Sequence, residues 1–80
     1  MSNYNCAIVL FSSTHEALRG EEELKRAGVP HTVINAPRQF KKDCGIALRL
    51  DIELREMAES ALSDAGVKFD RTEPYRCRWI

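Results

Sequence analysis

The sequence predicts an α+β domain whose strands and helices follow the order β-α-β-β-α-β. Two stretches carry apolar residues at helical spacing, and short apolar or β-branched runs precede and follow each of them. Both helical stretches end in the tripeptide Ala-Gly-Val, at 27–29 and 65–67, which either marks two β-α-β halves or is simply a good helix stop. This order is typical of the ferredoxin-like two-layer sandwich, in which right-handed crossovers place both helices on one face of an antiparallel sheet with strand order 4132.

The first half of the chain contains the clearest helix signals. The run 5–12 has apolar side chains on both faces, as a central strand does. Ser13 then fits an N-cap with Glu16 three residues on, and Gly28 followed by Pro30 ends the helix. The apolar residues predicted to form its buried stripe are Ala17, Gly20, Leu24 and Ala27, widened by Leu18.

The second half repeats the pattern after a longer connection. The run 31–36 alternates as a strand, the segment 37–45 is a loop, and 46–50 predicts a third strand with Ile46, Leu48 and Leu50 on one face. We expect Asp51 to cap the second helix and 67–70 to form the last strand. The second helix has the cleanest apolar stripe, formed by Leu54, Met57, Ala58, Ala61, Leu62 and Ala65.

Length and charge exclude several functional classes. Eighty residues predict one domain, spanning 1–80. Twelve Lys and Arg balance twelve Asp and Glu, so no overall positive field attracts nucleic acid or an anionic membrane. The apolar run near the start is too short for a signal peptide or a membrane span, so we expect a cytoplasmic protein.

The three cysteines differ in their surroundings. Cys6, Cys44 and Cys77 form no CxxC pair and match neither a disulfide framework nor a zinc site, so we expect no metal and no bound cofactor. Cys6 is most simply a core residue of the first strand. Cys77 belongs to the aromatic and basic tail at 75–80, which is a candidate for a partner or dimer contact.

Cys44 is the candidate reactive residue. It lies in a turn-rich segment with Arg38, Lys41 and Lys42, and positive charge favours the thiolate of an exposed cysteine. The alternatives are a small buried thiol at a strand start and ordinary solvated hairpin charges. The predicted topology brings the start of the first helix to the same sheet edge as Cys44, and the positive end of a helix dipole also favours an anion.

Five further residues are candidates to support such a site. They are Ser13, Thr14, His15, Gly45 and Arg49. Gly45 allows backbone to approach a carried atom closely. His15 is either a base for the thiol or an exposed first-turn side chain, and Arg49 is either a ligand-binding group on the helix-free sheet face or a surface arginine.

The segments 11–18, 27–30, 37–38 and 43–49 together resemble a bacterial and archaeal domain family of unknown function that is described as selenium/sulfur carrier-like. The resemblance implies that Cys44 holds sulfur or selenium covalently, as a persulfide or selenosulfide, and passes it between donor and acceptor proteins. Its matching positions are Ser13, Thr14, His15, Arg38, Gly45 and Arg49. Lys41 and Lys42 stand where the resemblance leads us to expect small hydroxyl residues, and they strengthen the positive field.

The functional prediction is therefore a carrier rather than an enzyme that turns over substrate. The alternative is a non-catalytic module that binds a small ligand or a protein, since this fold alone does not specify function. RNA binding on the open sheet face is a weaker alternative, because Phe11 is the one aromatic residue in the predicted central strands.

Overall fold

A computed structural model describes residues 4–40 and 45–76 of the chain. The predicted element order is confirmed, with short 3-10 turns at Arg38–Phe40 and Ile52–Leu54. The main elements are β1 (Cys6–Leu10), α1 (Thr14–Ala27), β2 (Thr32–Asn35), β3 (Ile46–Asp51), α2 (Arg55–Asp64) and β4 (Arg71–Tyr75).

The strands form one antiparallel sheet in the order β2-β3-β1-β4, which is the predicted 4132 order read from the other edge. β1 lies at the centre, between β3 and β4. Val9 of β1 has Leu48 as its cross-strand partner on one side and Thr72 on the other. Because alternate residues of a strand point to opposite faces, this register assigns every strand residue to one layer.

The main core lies between the sheet and the two helices. Ala7, Val9 and Phe11 alternate with residues of the other face, and Leu48 and Leu50 of β3 join them beneath the helices. The helices contribute the fully buried residues Ala17, Leu24, Ala58 and Leu62. The prediction that both helices pack on one face of the sheet is confirmed.

The helix-free face is more covered than an open sheet would be. Ile8 and Ala47 have no exposed surface, and Ile34, Phe40 and Tyr75 pack against their cluster. The rings of Phe40 and Tyr75 meet edge to face, with centroids 5.9 Å apart. The 3-10 turn after β2 thus brings an aromatic side chain onto the face that the sequence predicted to be open.

The predicted apolar stripes are too wide at three positions. Leu18 is 55% exposed, Met57 is 56% exposed and Ala27 is also exposed. On α1 the buried positions are Ala17, Gly20 and Leu24, one per turn. A helix on a flat sheet buries a narrow line of residues where it makes its closest approach, so apolar residues beside that line remain in solvent.

The start of the second helix and the last strand differ from the prediction. Asp51 ends β3 and makes no side-chain capping bond, because the turn Ile52–Leu54 separates it from α2. The predicted strand 67–70 is irregular, although Val67 is buried, and β4 begins only at Arg71. Pro74 has a low strand propensity, so the sequence pattern does not indicate a strand here. An edge strand tolerates proline where the missing N–H would face solvent.

Within residues 4–40 and 45–76, no helix is both long enough and apolar enough to cross a membrane.

Gly20 of α1 packs tightly against Phe11, which follows β1, and against Leu62 of α2. A β-carbon added there would lie 2.7 Å from Cζ of Phe11 and 3.3 Å from Cδ2 of Leu62. We predict that Gly20→Ala lowers the free energy of unfolding by about 1–2 kcal/mol, because overpacking outweighs the gain in helix propensity. Urea denaturation measures this change.

Phe11→Leu provides the control, since it removes the ring atoms that the new methyl group meets. The cost of Gly20→Ala should be smaller in the Phe11→Leu background than in the wild type. An equal cost in both backgrounds, or a more stable Gly20→Ala protein, contradicts the packing explanation.

Candidate functional site

The first turn of α1 presents polar side chains at one edge of the sheet. Ser13 is the N-cap, and its hydroxyl accepts a hydrogen bond from the backbone N–H of Glu16 at 3.2 Å. Thr14 and His15 follow on the exposed surface. The predicted cap is therefore confirmed, but the Glu16 carboxylate accepts a bond from the backbone N–H of Lys68 at 3.2 Å.

The same edge contains the start of β3. Leu10 is the cross-strand partner of Ala47, and continuing this register by two residues puts Gly45 beside Ser12. A hydrogen bond from the Ala36 N–H to the Gly45 carbonyl, 3.0 Å long, holds Gly45 to the end of β2. Ser13 and Gly45 were predicted to be neighbours, and the antiparallel pairing of β1 with β3 brings their chain segments together.

The fold does not require glycine at position 45. Apart from Gly45 itself and its two chain neighbours, no atom of the described residues lies within 4 Å of the position that a β-carbon would occupy there. Positive φ angles occur at Gly28 and Gly66, not at Gly45. The backbone of Gly45 is exposed and has open space in front of it.

Arg38 lies on the segment that connects β2 with β3. It begins the 3-10 turn Arg38–Phe40, which the bond from the Phe40 N–H to the Pro37 carbonyl closes at 2.9 Å. Its side chain is exposed. Cys44, Lys41 and Lys42 lie outside the described residues, so their predicted roles stay predictions.

Arg49 lies away from this edge. It is four residues along β3 from Gly45, a rise of about 13 Å, and its cross-strand partners are Ile8 and Thr32. It shares the helix-free face with Ile8, as predicted, and its Nη2 lies 3.5 Å from Oγ1 of Thr32. The structure thus separates Arg49 from the group formed by Ser13, Thr14, His15 and Gly45.

Cys6 lies at the opposite end of β1. Its side chain is fully buried, as predicted for a core residue, but its sulfur is disulfide-bonded, which the sequence did not predict. The other cysteine of this bond lies outside the described residues. Sγ of Cys6 is 3.3 Å from the carbonyl oxygen of Tyr75, which is also its cross-strand partner.

Sequence reasoning missed a polar cluster at the end of α1. The chain reverses after Gly28, which has φ 77°, and returns His31 alongside the helix. The His31 ring is almost fully buried, with Nδ1 2.9 Å from the Val29 carbonyl oxygen and Nε2 3.0 Å from the Glu21 carboxylate. Both nitrogens face acceptors, so the doubly protonated ring is the form that donates to both. No local motif joins His31 to a residue ten positions earlier.

Among residues 4–40 and 45–76, no group of three or more His, Cys, Asp or Glu side chains is arranged to hold a metal ion.

Comparison with known proteins identifies a family but no individual relative. The family described as "Putative Se/S carrier protein-like" matches residues 5–72. This range contains the α1 N-terminus, Cys44, the first three strands and the first two residues of β4. No curated protein and no solved structure matches the chain.

The contact between His31 and Glu21 predicts a contribution to the free energy of unfolding that depends on pH. The hydrogen bond from His31 lowers the pKa of the Glu21 carboxyl below its ordinary value, partial burial opposes this, and the charge of Lys25 adds to it. A carboxyl with a lowered folded-state pKa stabilises the fold above its unfolded-state pKa, near 4.5, and loses this contribution as the pH falls through the folded-state value. We expect Glu21→Gln to cost up to about 1 kcal/mol at pH 7 and progressively less below pH 4.5.

Urea denaturation of both proteins between neutral and acidic pH measures this difference. Glu22→Gln is the matched control, because Glu22 is an exposed neighbour whose carboxylate makes no ion pair among the described residues. A stability difference between wild type and Glu21→Gln that stays constant down to the acid end contradicts the ion-pair explanation.

Proposed function

Because the chain belongs to the family described as "Putative Se/S carrier protein-like", we propose that it carries one sulfur or selenium atom on Cys44. The observation that carries this proposal is the position of Gly45, which precedes β3 at the sheet edge where α1 begins. Peptide connectivity puts the Cys44 residue directly before Gly45. The start of β3 therefore lies at the end of the sheet that also presents Ser13, Thr14 and His15, and this supports Cys44 as the carrier residue.

The surroundings of this edge suit an anion. The N-terminus of α1 contributes the positive end of a helix dipole of 14 residues. Arg38 is exposed on the segment that connects β2 with β3, and Lys41 and Lys42 are close to Cys44 in sequence. Positive charge favours both the attacking thiolate and the terminal sulfur or selenium of the loaded form, since both are anionic.

The proposed step is a transfer of a zero-valent atom. The thiolate of Cys44 attacks the terminal sulfur of a donor persulfide, or the terminal selenium of a donor selenosulfide. A new S–S or S–Se bond forms on Cys44, the bond in the donor breaks, and its electron pair leaves on the donor thiolate. The acceptor protein removes the atom by the same exchange, so no external oxidant or reductant takes part.

The arrangement of the strands supports Cys44 rather than Cys6 as the carrier. Cys6 is disulfide-bonded and lies opposite Asp51, whereas Gly45 is six residues before Asp51, just ahead of β3. Six strand residues span about 20 Å, whereas the Cα atoms of a disulfide are less than about 7 Å apart. Cys77 follows Tyr75, the cross-strand partner of Cys6, by two residues in the sequence, and this favours Cys77 over Cys44 as the second cysteine of the disulfide.

A carrier of this kind acts with partner proteins. Its donor supplies the persulfide or selenosulfide and its acceptor consumes it, so the chain needs no bound cofactor and catalyses no separate turnover. Thr14 and His15, both exposed, lie at the end of the sheet from which we propose that the atom is handed over. We propose that donor and acceptor proteins contact this edge.

Mass spectrometry of the intact protein tests the carrier function. After incubation with a persulfide donor or a selenosulfide donor, we expect a gain of one sulfur or selenium atom that maps to the peptide containing Cys44. Cys44→Ser should abolish the gain, whereas Cys77→Ser, the matched control, should retain it. Loading that persists in Cys44→Ser, or no loading of the wild type by either donor, contradicts the proposal and favours a non-catalytic binding module.

The rate of thiol alkylation against pH tests the environment of Cys44. We expect a Cys44 thiol pKa below the value of about 8.5 that is usual for cysteine. Replacing Lys41 and Lys42 together by Ala should raise it, because the positive charge that favours the thiolate is removed. Lys25→Ala is the control, since Lys25 is at the other end of α1. Equal profiles for all three proteins contradict a role of the two lysines.

Gly45→Ala separates the site from the fold. Since a β-carbon meets no atom within 4 Å, stability should change by less than about 1 kcal/mol. Loading should slow because the methyl group occupies the space in front of the backbone. Unchanged loading by the Gly45→Ala protein would show that this space is not used.

A further inference from the structure

The two edges of the sheet differ in how they are protected from pairing with another strand. β4 carries Pro74 and the ion pair between Arg71 and Glu73, whose Nε–Oε2 distance is 2.6 Å. Proline and charge are the usual devices that keep an edge strand unpaired. β2 has neither, because its sequence is Thr-Val-Ile-Asn.

The outward backbone groups of β2 belong to Val33 and Asn35. Ala36 donates its N–H to Gly45, its opposite residue, so Ala36 forms a hydrogen-bonded pair with β3. Hydrogen-bonded pairs alternate along an antiparallel ladder, so the backbone N–H and C=O groups of Thr32 and Ile34 also point towards β3. The N–H and C=O groups of the remaining two residues therefore point away from the sheet. Val33 is 45% exposed, and Asn35 is exposed too.

We propose that β2 pairs antiparallel with β2 of a second copy of this chain, about a twofold axis at Ile34. This axis places Val33 opposite Asn35 of the second copy. Both residues have outward backbone groups, so the two Val33–Asn35 pairs form four hydrogen bonds and leave no outward group of β2 unsatisfied. The pairing joins two four-stranded sheets into one.

Side chains also match across this axis. Ile34 faces the helix-free side, where it packs against the cluster of Ile8 and Ala47. Its partner is Ile34 of the second copy, so the apolar cluster continues across the boundary.

The proposed interface is small. Two strands of four residues belong to the low end of interface sizes, below about 1,200 Å², where complexes form reversibly and depend on concentration. Such a dimer leaves the edge containing Gly45 and the start of α1 accessible to other proteins. Dimer formation and sulfur or selenium loading are separate properties of the chain, and each can fail without the other.

Sedimentation equilibrium of the full chain at increasing concentration tests the pairing. We expect the wild type to pass from monomer to dimer below about 1 mM, the weak end of specific association. Val33→Pro should remain a monomer, since it removes an outward N–H and leaves the hydrogen bonds to β3 intact. Val33→Thr keeps the N–H and the β-branched shape, so it should dimerise. A wild type that stays monomeric, or a folded Val33→Pro protein that dimerises like it, overturns the proposal.

Disulfide trapping tests the register and does not depend on the folding of the proline variant. Ile34→Cys places two thiols across a non-hydrogen-bonded pair, where Cα atoms are about 4.5 Å apart and a disulfide can form. With oxidised glutathione we expect a covalent dimer whose peptides link position 34 to position 34. Thr32→Cys is the matched control, because its two copies are about 13 Å apart in this register. Equal trapping at both positions, or none at position 34, overturns the register.

Discussion

The structure depends on the antiparallel pairing of β1 with β3 at the centre of the sheet. Every residue of β1 is buried, and the strand has a partner on each side. The register of this pairing decides which strand ends lie next to each other. It brings the end of β1 to the start of β3, so that the first turn of α1 and Gly45 share one edge, while Cys6 lies at the other.

That separation underlies the different roles that we propose for Cys6 and Cys44. Cys6 is fully buried and disulfide-bonded at the end where β4 finishes. Cys44 precedes Gly45 in the sequence, and Gly45 lies at the end of the sheet where α1 begins. A thiol that attacks a donor must be accessible and stabilised as an anion, and the N-terminus of α1 supplies a positive dipole end there. The proposed carrier chemistry follows from this asymmetry.

The two outer strands of the sheet also differ from each other. β4 combines proline with charged side chains, and β2 presents an uncharged edge with two outward-facing residues. Because β2 is adjacent to β3, its end is bonded to Gly45 through Ala36. The outer strand that we propose to pair two copies is thus connected to the end of the sheet that we propose for atom transfer. The two surfaces do not overlap.

The sequence alone determined the element order, the strand order and the cap at Ser13, because these follow from local periodicity, turn residues and the handedness of crossovers. It also predicted that the start of α1 and the start of β3 lie at the same end of the sheet, and the antiparallel pairing of β1 with β3 places them there. It could not determine how narrow the buried stripes are, so Leu18 and Met57 were wrongly placed in the core. It predicted the last strand at 67–70, a few residues too early, because pairing with β1 overrides the poor strand propensity of Pro74 in 71–75.

The tertiary structure alone decided the side-chain groupings that join distant positions. His31 meets Glu21 because the chain reverses at Gly28, and no periodic pattern relates the two. Arg49 lies away from Gly45 because the rise along β3 separates them. The helix-free face is covered because the turn at Arg38–Phe40 folds back onto it. Contacts of this kind depend on the three-dimensional path of the chain, whereas the sequence pattern records only which residues are neighbours along it.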